Sequence, residues 1–328
     1  RFLSAYNPAL RKPRARKRGF AMPTLLPVLL EVSGVLSVPH PPQMEKAPDL
    51  GYKPVPANLT LPDGMKMGAP SSVAIDRSGH LLVFNRGEHP LMEFDAQGKF
   101  VRAFGEGMYV RPHGMRIDPD GNIWMTDVNG HTVTKMSATG EVLMTLGTKG
   151  QAGKWDEATH LMQEPADIAF GPQGDVFIVE GHGRGEGRVL RVDKTGKLLT
   201  SWGGTGKGPG QFDQPHSILV RNGQVLVADR ENRRVQIFDL NGKYLNEWKF
   251  AGLPCGLYAS ASGDLYLASG FAGQILRLDS QGKAVAMMGQ PGKGLGEFGE
   301  AHYMTMTAAG DIYVGDTINA VLHKFVKK

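Results

Sequence analysis

The sequence predicts an all-β fold, a six-bladed β-propeller whose ring is closed by a strand from the N-terminal side. Three observations carry that prediction. A glycine-centred pattern recurs six times, and its turn glycines Gly79, Gly121, Gly174, Gly223, Gly263 and Gly310 stand 42, 53, 49, 40 and 47 residues apart, the period of a propeller blade. Inside each copy, short stretches such as Leu81 to Phe84, Leu91 to Phe94 and Phe100 to Phe104 are bounded by Gly, Asp or Asn and read as strands ended by tight turns. No segment sustains a helical period. A sheet of three or four strands cannot bury both of its faces alone. Stacked around an axis it can, leaving a central channel lined by each innermost strand.

Taken in order, residues 1–38 place seven basic residues, from Arg1 to Arg18, ahead of the apolar run Phe20 to Val38. That is the order of a signal peptide and raises the expectation of a secreted or periplasmic protein, with an unprocessed tail as the alternative. Pro23, Pro27 and Glu31 interrupt the run too often for a membrane-spanning helix. Residues 39–56 carry Pro39, Pro41, Pro42, Pro48, Pro54 and Pro56 and read as an extended linker. The propeller is expected over 57–328. Its copies begin at Pro70, Pro112, Pro165, Pro215, Pro254 and, for the last, His302. The sixth lacks the outermost strand that "GKFVRAFG" or "GKLLTSWG" supplies elsewhere, so a segment within Gly51 to Met67 is expected to complete it.

Charge and cysteine content bound the function. The formal net charge is +5, but the seven basic residues at the start exceed it, leaving the propeller slightly acidic. Nucleic-acid binding thereby loses its electrostatic support. One cysteine, Cys255, excludes an intrachain disulfide. "GGTGKGPGQF" and "GQPGKGLGEF" lack the spacing and the following helix of a phosphate cradle and read as inter-blade loops. Propellers need no partner to close their edges, so a monomer is expected.

The chemistry-bearing pattern is an alternation. At one register position, after the proline that starts each inner strand, copies two, four and six carry His113, His216 and His302. In a closed ring of six these imidazoles stand about one third of a turn apart. Three neutral imidazoles around one ion, with a fourth position open, is how a catalytic Zn²⁺ is held; three solvated channel-lining histidines are the plainer alternative. Cys255 occupies the same register in copy five, where a small buried hydrophobe is the plain reading. A second register, after the second strand, holds Arg86 in copy one and Arg230 in copy four. Guanidinium groups there can hold a carboxylate bidentately or simply pair with Glu88 and Glu231. Asp127, Asp229 and Asp316, at strand ends, read as structural.

The segments "FDQPHSILVRNGQVLVADRENRRVQIF", "RPHGMRIDPDGNIWMTDVNGHTVTKM" and "VFNRGEHP" resemble the NHL-repeat propeller of peptidyl-α-hydroxyglycine α-amidating lyases and their bacterial relatives, over about Pro54 to Phe325. The resemblance implies one zinc per chain on His113, His216 and His302, with Arg86 and Arg230 as active-site arginines. It implies a carbon–nitrogen lyase that cleaves a carbinolamide to an amide and glyoxylate, acting on a small-molecule or peptide substrate. The chain departs from the family in three places. Glu180-Gly181-His182 stands where the family has a tyrosine base in a D-G-Y motif, which leaves His182 as base, fourth metal ligand or neither. Glu300-Ala301-His302-Tyr303 replaces a Met-Pro-His-Asp run whose aspartate helps hold calcium, which argues against Ca²⁺ here and puts Glu300 beside the metal position as ligand, base, substrate-binding group or balance for the arginines. The animal enzymes' disulfides are absent. Two readings from other classes are a non-enzymatic NHL propeller binding a peptide or protein, and a metal-dependent propeller hydrolase of the lactonase or esterase type. The second usually recruits carboxylates for calcium, against which three histidines argue.

Overall fold

A computed structural model describes residues 43–156, 159–183 and 185–328, and the whole of 1–38, with its expected export signal, lies outside the described residues. Six four-stranded antiparallel sheets are arranged as the blades of a propeller, with no helix among the described residues. Blade 1 runs from Pro70 to Phe104, blade 2 from Pro112 to Leu146, blade 3 from Pro165 to Gly203, blade 4 from Pro215 to Lys249 and blade 5 from Pro254 to Met288. Blade 6 takes its three inner strands from Ala301–Met306, Ile312–Asp316 and Val321–Lys327 and its outermost from Tyr52–Val55, paired antiparallel from Tyr52 opposite Lys327 to Val55 opposite Lys324.

That closing strand lies within the expected segment, but it also falls inside the stretch 39–56 expected to be linker, which is corrected there. Pro54 and Pro56 suggested a linker because proline cannot serve a central strand. At a sheet edge one face of the backbone needs no partner, so Pro54 is accommodated.

The second strands are buried along their length, as in Leu81–Asn85, Ile123–Asp127 and Val176–Glu180, apart from the exposed Gln224 that opens the one in blade 4, while the outermost strands are half exposed. The alternating residues pack one blade against the next. Phe212 and Phe298, from the two glycine-rich loops, are wholly buried among residues of the adjoining blades, such as Phe238 and Phe325. Each such side chain contributes roughly 1.5–3 kcal/mol of burial. The loops therefore build core between blades.

One irregularity recurs in all six innermost strands. The pairing register shifts between Pro70 and Ser72, Pro112 and Met115, Pro165 and Asp167, Pro215 and Ser217, Pro254 and Gly256, and Ala301 and Met304. The residues left out of the ladder are those at the histidine register, joined in blades 2 and 6 by the next residue, Gly114 and Tyr303. A bulge there turns the side chain out of the blade's face and frees its backbone carbonyl.

Below that register the channel is blocked. Tyr303 is buried, and its hydroxyl donates to the His216 carbonyl at 2.6 Å. Beneath it, Arg116 grips the fully buried Asp167 through two nitrogens at 2.6 and 3.1 Å and lies 5.2 Å from the centre of the Tyr303 ring. The far mouth is a separate cavity of about 340 Å³ walled by one residue or more from every blade, among them Ile75, Ile117, Phe170, Val220, Tyr258 and Met306.

Candidate metal centre

His113, His216 and His302 come together at the bulges of blades 2, 4 and 6. Their ring centres are 4.6, 4.7 and 4.7 Å apart, almost an equilateral triangle, and all three are buried. One nitrogen of each lies within 4.8 Å of the other two. The remaining nitrogens are already committed. Nδ1 of His113 meets the Ala166 carbonyl at 2.7 Å, Nδ1 of His216 the Cys255 carbonyl at 3.0 Å, and Nδ1 of His302 the Ser71 carbonyl at 2.6 Å. A carbonyl only accepts, so each Nδ1 carries the proton and each Nε2 keeps its lone pair. Ser71, Ala166 and Cys255 are the bulge residues of blades 1, 3 and 5. Even blades thus supply imidazoles, and odd blades supply the freed carbonyls that orient them.

Nε2 of His113 and of His216 are buried and have no hydrogen-bond partner among the described residues. Two unsatisfied acceptors in a dry site are costly, and a divalent ion resolves both. Burial, then the neighbouring imidazoles and Arg86, holds His113 well below the usual histidine range; burial and then Glu300, which opposes it, leave His302 at about 4. Neutral imidazoles oriented through Nδ1–H are the donor set that zinc takes.

His182, from the glycine-rich turn after the second strand of blade 3, packs its ring 4.3 Å from His113 and 4.9 Å from His216. It is not part of the trio whose nitrogens lie within 4.8 Å of one another. Its Nδ1 is buried with no hydrogen-bond partner among the described residues, and burial followed by Arg230 and Arg111 keeps the ring neutral. Glu300 is also buried; it accepts a hydrogen bond from the Thr317 hydroxyl, and its other oxygen lies 3.9 Å from Arg230. One atom each of His216, Cys255 and Glu300 fall within 4.8 Å of one another, so the lone cysteine borders the chamber. Burial and the Glu300 charge push its thiol up, so it stays protonated.

The two predicted arginines reach the chamber from opposite sides in different states. Arg230 is paired: it donates to Glu231 at 2.9 Å and to Gln214 at 2.7 Å. Arg86 donates its Nε to the Pro112 carbonyl at 3.2 Å and has no carboxylate partner among the described residues, so the alternative of a pairing with Glu88 is not realised, whereas that of Arg230 with Glu231 is. The aspartates at the strand ends are structural, as expected. Asp127 accepts from the backbone N–H groups of Val110 and Arg111, Asp229 from that of Asp213, and Asp316 from those of Gly299 and Glu300.

The NHL repeat model matches residues 212–238, the segment from Phe212 that carries His216 and Arg230. The rat peptidylglycine alpha-amidating monooxygenase is 30% identical over 305 residues, which are 79% of this chain and 30% of that protein. This chain is an NHL-repeat six-bladed propeller resembling the α-amidating lyases. A probable peptidyl-alpha-hydroxyglycine alpha-amidating lyase of Caenorhabditis elegans is 30% identical over 201 residues, 53% of this chain and 56% of its own length. The chain therefore spans less than a third of the monooxygenase and little more than half of the nematode protein. Among solved structures, a streptogramin B lyase superposes with a TM-score of 0.60 at 15% identity, covering 84% of this chain and 98% of the other, a likeness of fold.

Sequence reasoning missed three parts of this NHL propeller's site. Tyr303 forms the chamber floor, Thr317 holds Glu300, and Arg111 stands beside Arg86. Arg111 had a signal, since it opens the R-P-H-G run that carries His113.

Proposed function

We propose that this propeller is a zinc-dependent lyase that cleaves the N–C bond of an α-hydroxyglycine-type amide to an amide and glyoxylate. The observation that carries the reading is the trio His113, His216 and His302, each with Nδ1–H on a bulge carbonyl and Nε2 left for an ion. The relatives named as amidating lyases support the reaction class. Bound there, zinc supplies a Lewis acid for the hydroxyl or carboxylate oxygen of the substrate.

The protein's own groups then have separable tasks. His182, neutral and beside His113, takes the hydroxyl proton. As that proton leaves, the carbon–oxygen double bond of glyoxylate forms and the N–C bond breaks, its electron pair going to the amide nitrogen, which takes up a proton. No oxidant is consumed. Arg86 offsets the charge that develops on oxygen. Glu300, with Glu231, offsets the Arg230 charge and leaves that side of the chamber without excess positive charge. Tyr303 and the Arg116–Asp167 pair close the channel below, so substrate enters from one face only. The basic-then-apolar order of residues 1–38 makes export part of this reading.

Glyoxylate release from an N-acyl-α-hydroxyglycine tests the proposal. The wild-type chain should release it in proportion to bound zinc, and His182→Ala should lower kcat by about 10²–10⁴-fold with zinc content unchanged. No glyoxylate at full zinc loading would overturn the assignment.

A further inference from the structure

The buried arginines of this propeller obey a rule that one chamber residue breaks. Arg188 holds Glu180, Arg234 holds Asp229 at 2.8 Å, and Arg230 holds Glu231 at 2.9 Å. Arg116, on the axis, holds Asp167 at 2.6 Å. A guanidinium removed from water needs such a partner, because the unpaired charge is otherwise costly to bury. Arg86 is largely desolvated, yet no carboxylate of the described residues pairs with it; its one side-chain hydrogen bond runs from Nε to the Pro112 carbonyl, 3.2 Å away.

That bond fixes where the unpaired charge stands. Pro112 links Arg111 to His113, so the Arg86 guanidinium sits on the peptide unit between a second arginine and a predicted metal ligand. Arg111 is held there by its own backbone, whose N–H donates to Asp127 at 2.7 Å, and its side chain has no ion pair or hydrogen bond among the described residues. Burial and then the Arg111 charge lower Arg86 to about 10, and the fields of both arginines reach His182. Two like charges therefore converge at the seam of blades 1 and 2, on the chamber side, with their terminal nitrogens unclaimed. Arg230, across the chamber, already has carboxylates beside it: its Nε donates to Glu231 and its Nη2 to Gln214, and its Nη1 lies 3.9 Å from Glu300.

We propose that Arg111 and Arg86 together form a carboxylate site at the mouth of the three-histidine chamber, and that this pair, rather than Arg86 with Arg230, seats the anionic end of the substrate. Planar guanidinium forks match a carboxylate's two oxygens, and an arriving carboxylate relieves the repulsion between the pair. The proposal rests on the lyase reading for the identity of the ligand and gives it a direction. The carboxylate lies toward blades 1 and 2, and the amide end lies toward Glu300 and blade 4.

The test is calorimetric binding of acetate, glyoxylate and inorganic phosphate to the zinc-loaded full chain, for wild type and for Arg111→Gln, Arg111→Lys and Arg230→Gln. Arg111→Gln should weaken acetate and glyoxylate by about tenfold or more, the loss of one charge-assisted contact. Arg111→Lys should recover part of that loss, and Arg230→Gln should cost less than Arg111→Gln. Unchanged zinc content and melting temperature in Arg111→Gln would show the fold intact. Carboxylate affinity in Arg111→Gln equal to wild type, a larger loss in Arg230→Gln, or phosphate bound in preference to both carboxylates would overturn the site. Glyoxylate release from an N-acyl-α-hydroxyglycine, measured on the same proteins, separates the two readings. Arg111-dependent carboxylate binding without turnover retains the site and removes the lyase. Turnover with affinity and KM indifferent to Arg111 does the reverse.

Discussion

Tyr303 shows how much single side chains decide here. Its hydroxyl caps the His216 carbonyl at 2.6 Å, and its ring lies 4.9 Å from His302 and 5.7 Å from His113, flooring the chamber. Tyr303→Phe removes that donor and leaves a buried carbonyl unsatisfied, so it should cost about 1–3 kcal/mol in urea denaturation while zinc remains bound. A loss of zinc with unchanged stability would mean that the ring position, and not the hydrogen bond, is what Tyr303 contributes. The three histidines were legible in the sequence because a repeat exposes its exceptions: six equivalent positions alternate between imidazole and the small residues Ser71, Ala166 and Cys255. Arg86 stood out by its register and His182 and Glu300 through the resemblance, and the structure brings all three to the chamber. Arg111 was not, because its interest lies in the absence of a partner. Glu88 stands two residues from Arg86 and looks like one in sequence, whereas in space the guanidinium turns to the Pro112 carbonyl.

At the scale of the strand, the bulge that opens each blade is the device that builds the site, and glycine next to it sets how closely blades approach. A Cβ on Gly114 would come within 2.5 Å of the Ala166 carbonyl oxygen and 3.0 Å of the Asp167 Cα, both backbone atoms. Gly114→Ala must therefore push blades 2 and 3 apart at the acceptor of His113 Nδ1. It should destabilise the fold by about 1–3 kcal/mol and weaken zinc retention together, read by denaturation and metal analysis. Asp316 plays the matching part behind His302. Burial opposes its charge, but the nearby His323 and the N–H groups of Asn319, Gly299 and Glu300 outweigh it, holding the carboxyl below its ordinary 3.8. Since the folded value is depressed, its contribution is fully present above the unfolded value and is lost as pH falls through the folded one. Asp316→Asn should accordingly be less stable at pH 7, by about 1–3 kcal/mol, and should lose less stability than wild type on acidification below pH 4. Urea titrations across that range check the sign. Strands and turns were readable from alternation and glycine. The bulges were not, because proline marks where an inner strand starts but not that the next residue leaves the ladder.

Over the whole molecule, closure converts six weak sheets into one ring. The outermost strand of blade 6 is Tyr52–Val55, joined along Val321–Lys327, so the start of the described chain locks its end. Removing residues up to 56 exposes that edge, and the melting temperature should fall by about 10 °C or more in a calorimetric scan; an unchanged transition would show that closure adds nothing. Six blades were legible from the spacing of the turn glycines. The closing strand was placed correctly, yet its prolines disguised it as linker, since only its edge position excuses them. Ring closure is also what spaces the three even blades around one axis and turns an alternation in sequence into a triangle of nitrogens. The most direct test of that claim is the zinc content of tag-free protein purified without chelator, by plasma mass spectrometry, beside His216→Ala. About one zinc per chain, lost in the variant while the β-sheet circular dichroism is retained, is the expected result. Protein that carries no metal, takes up none from micromolar zinc, or holds it equally well without His216 would contradict the three-histidine centre.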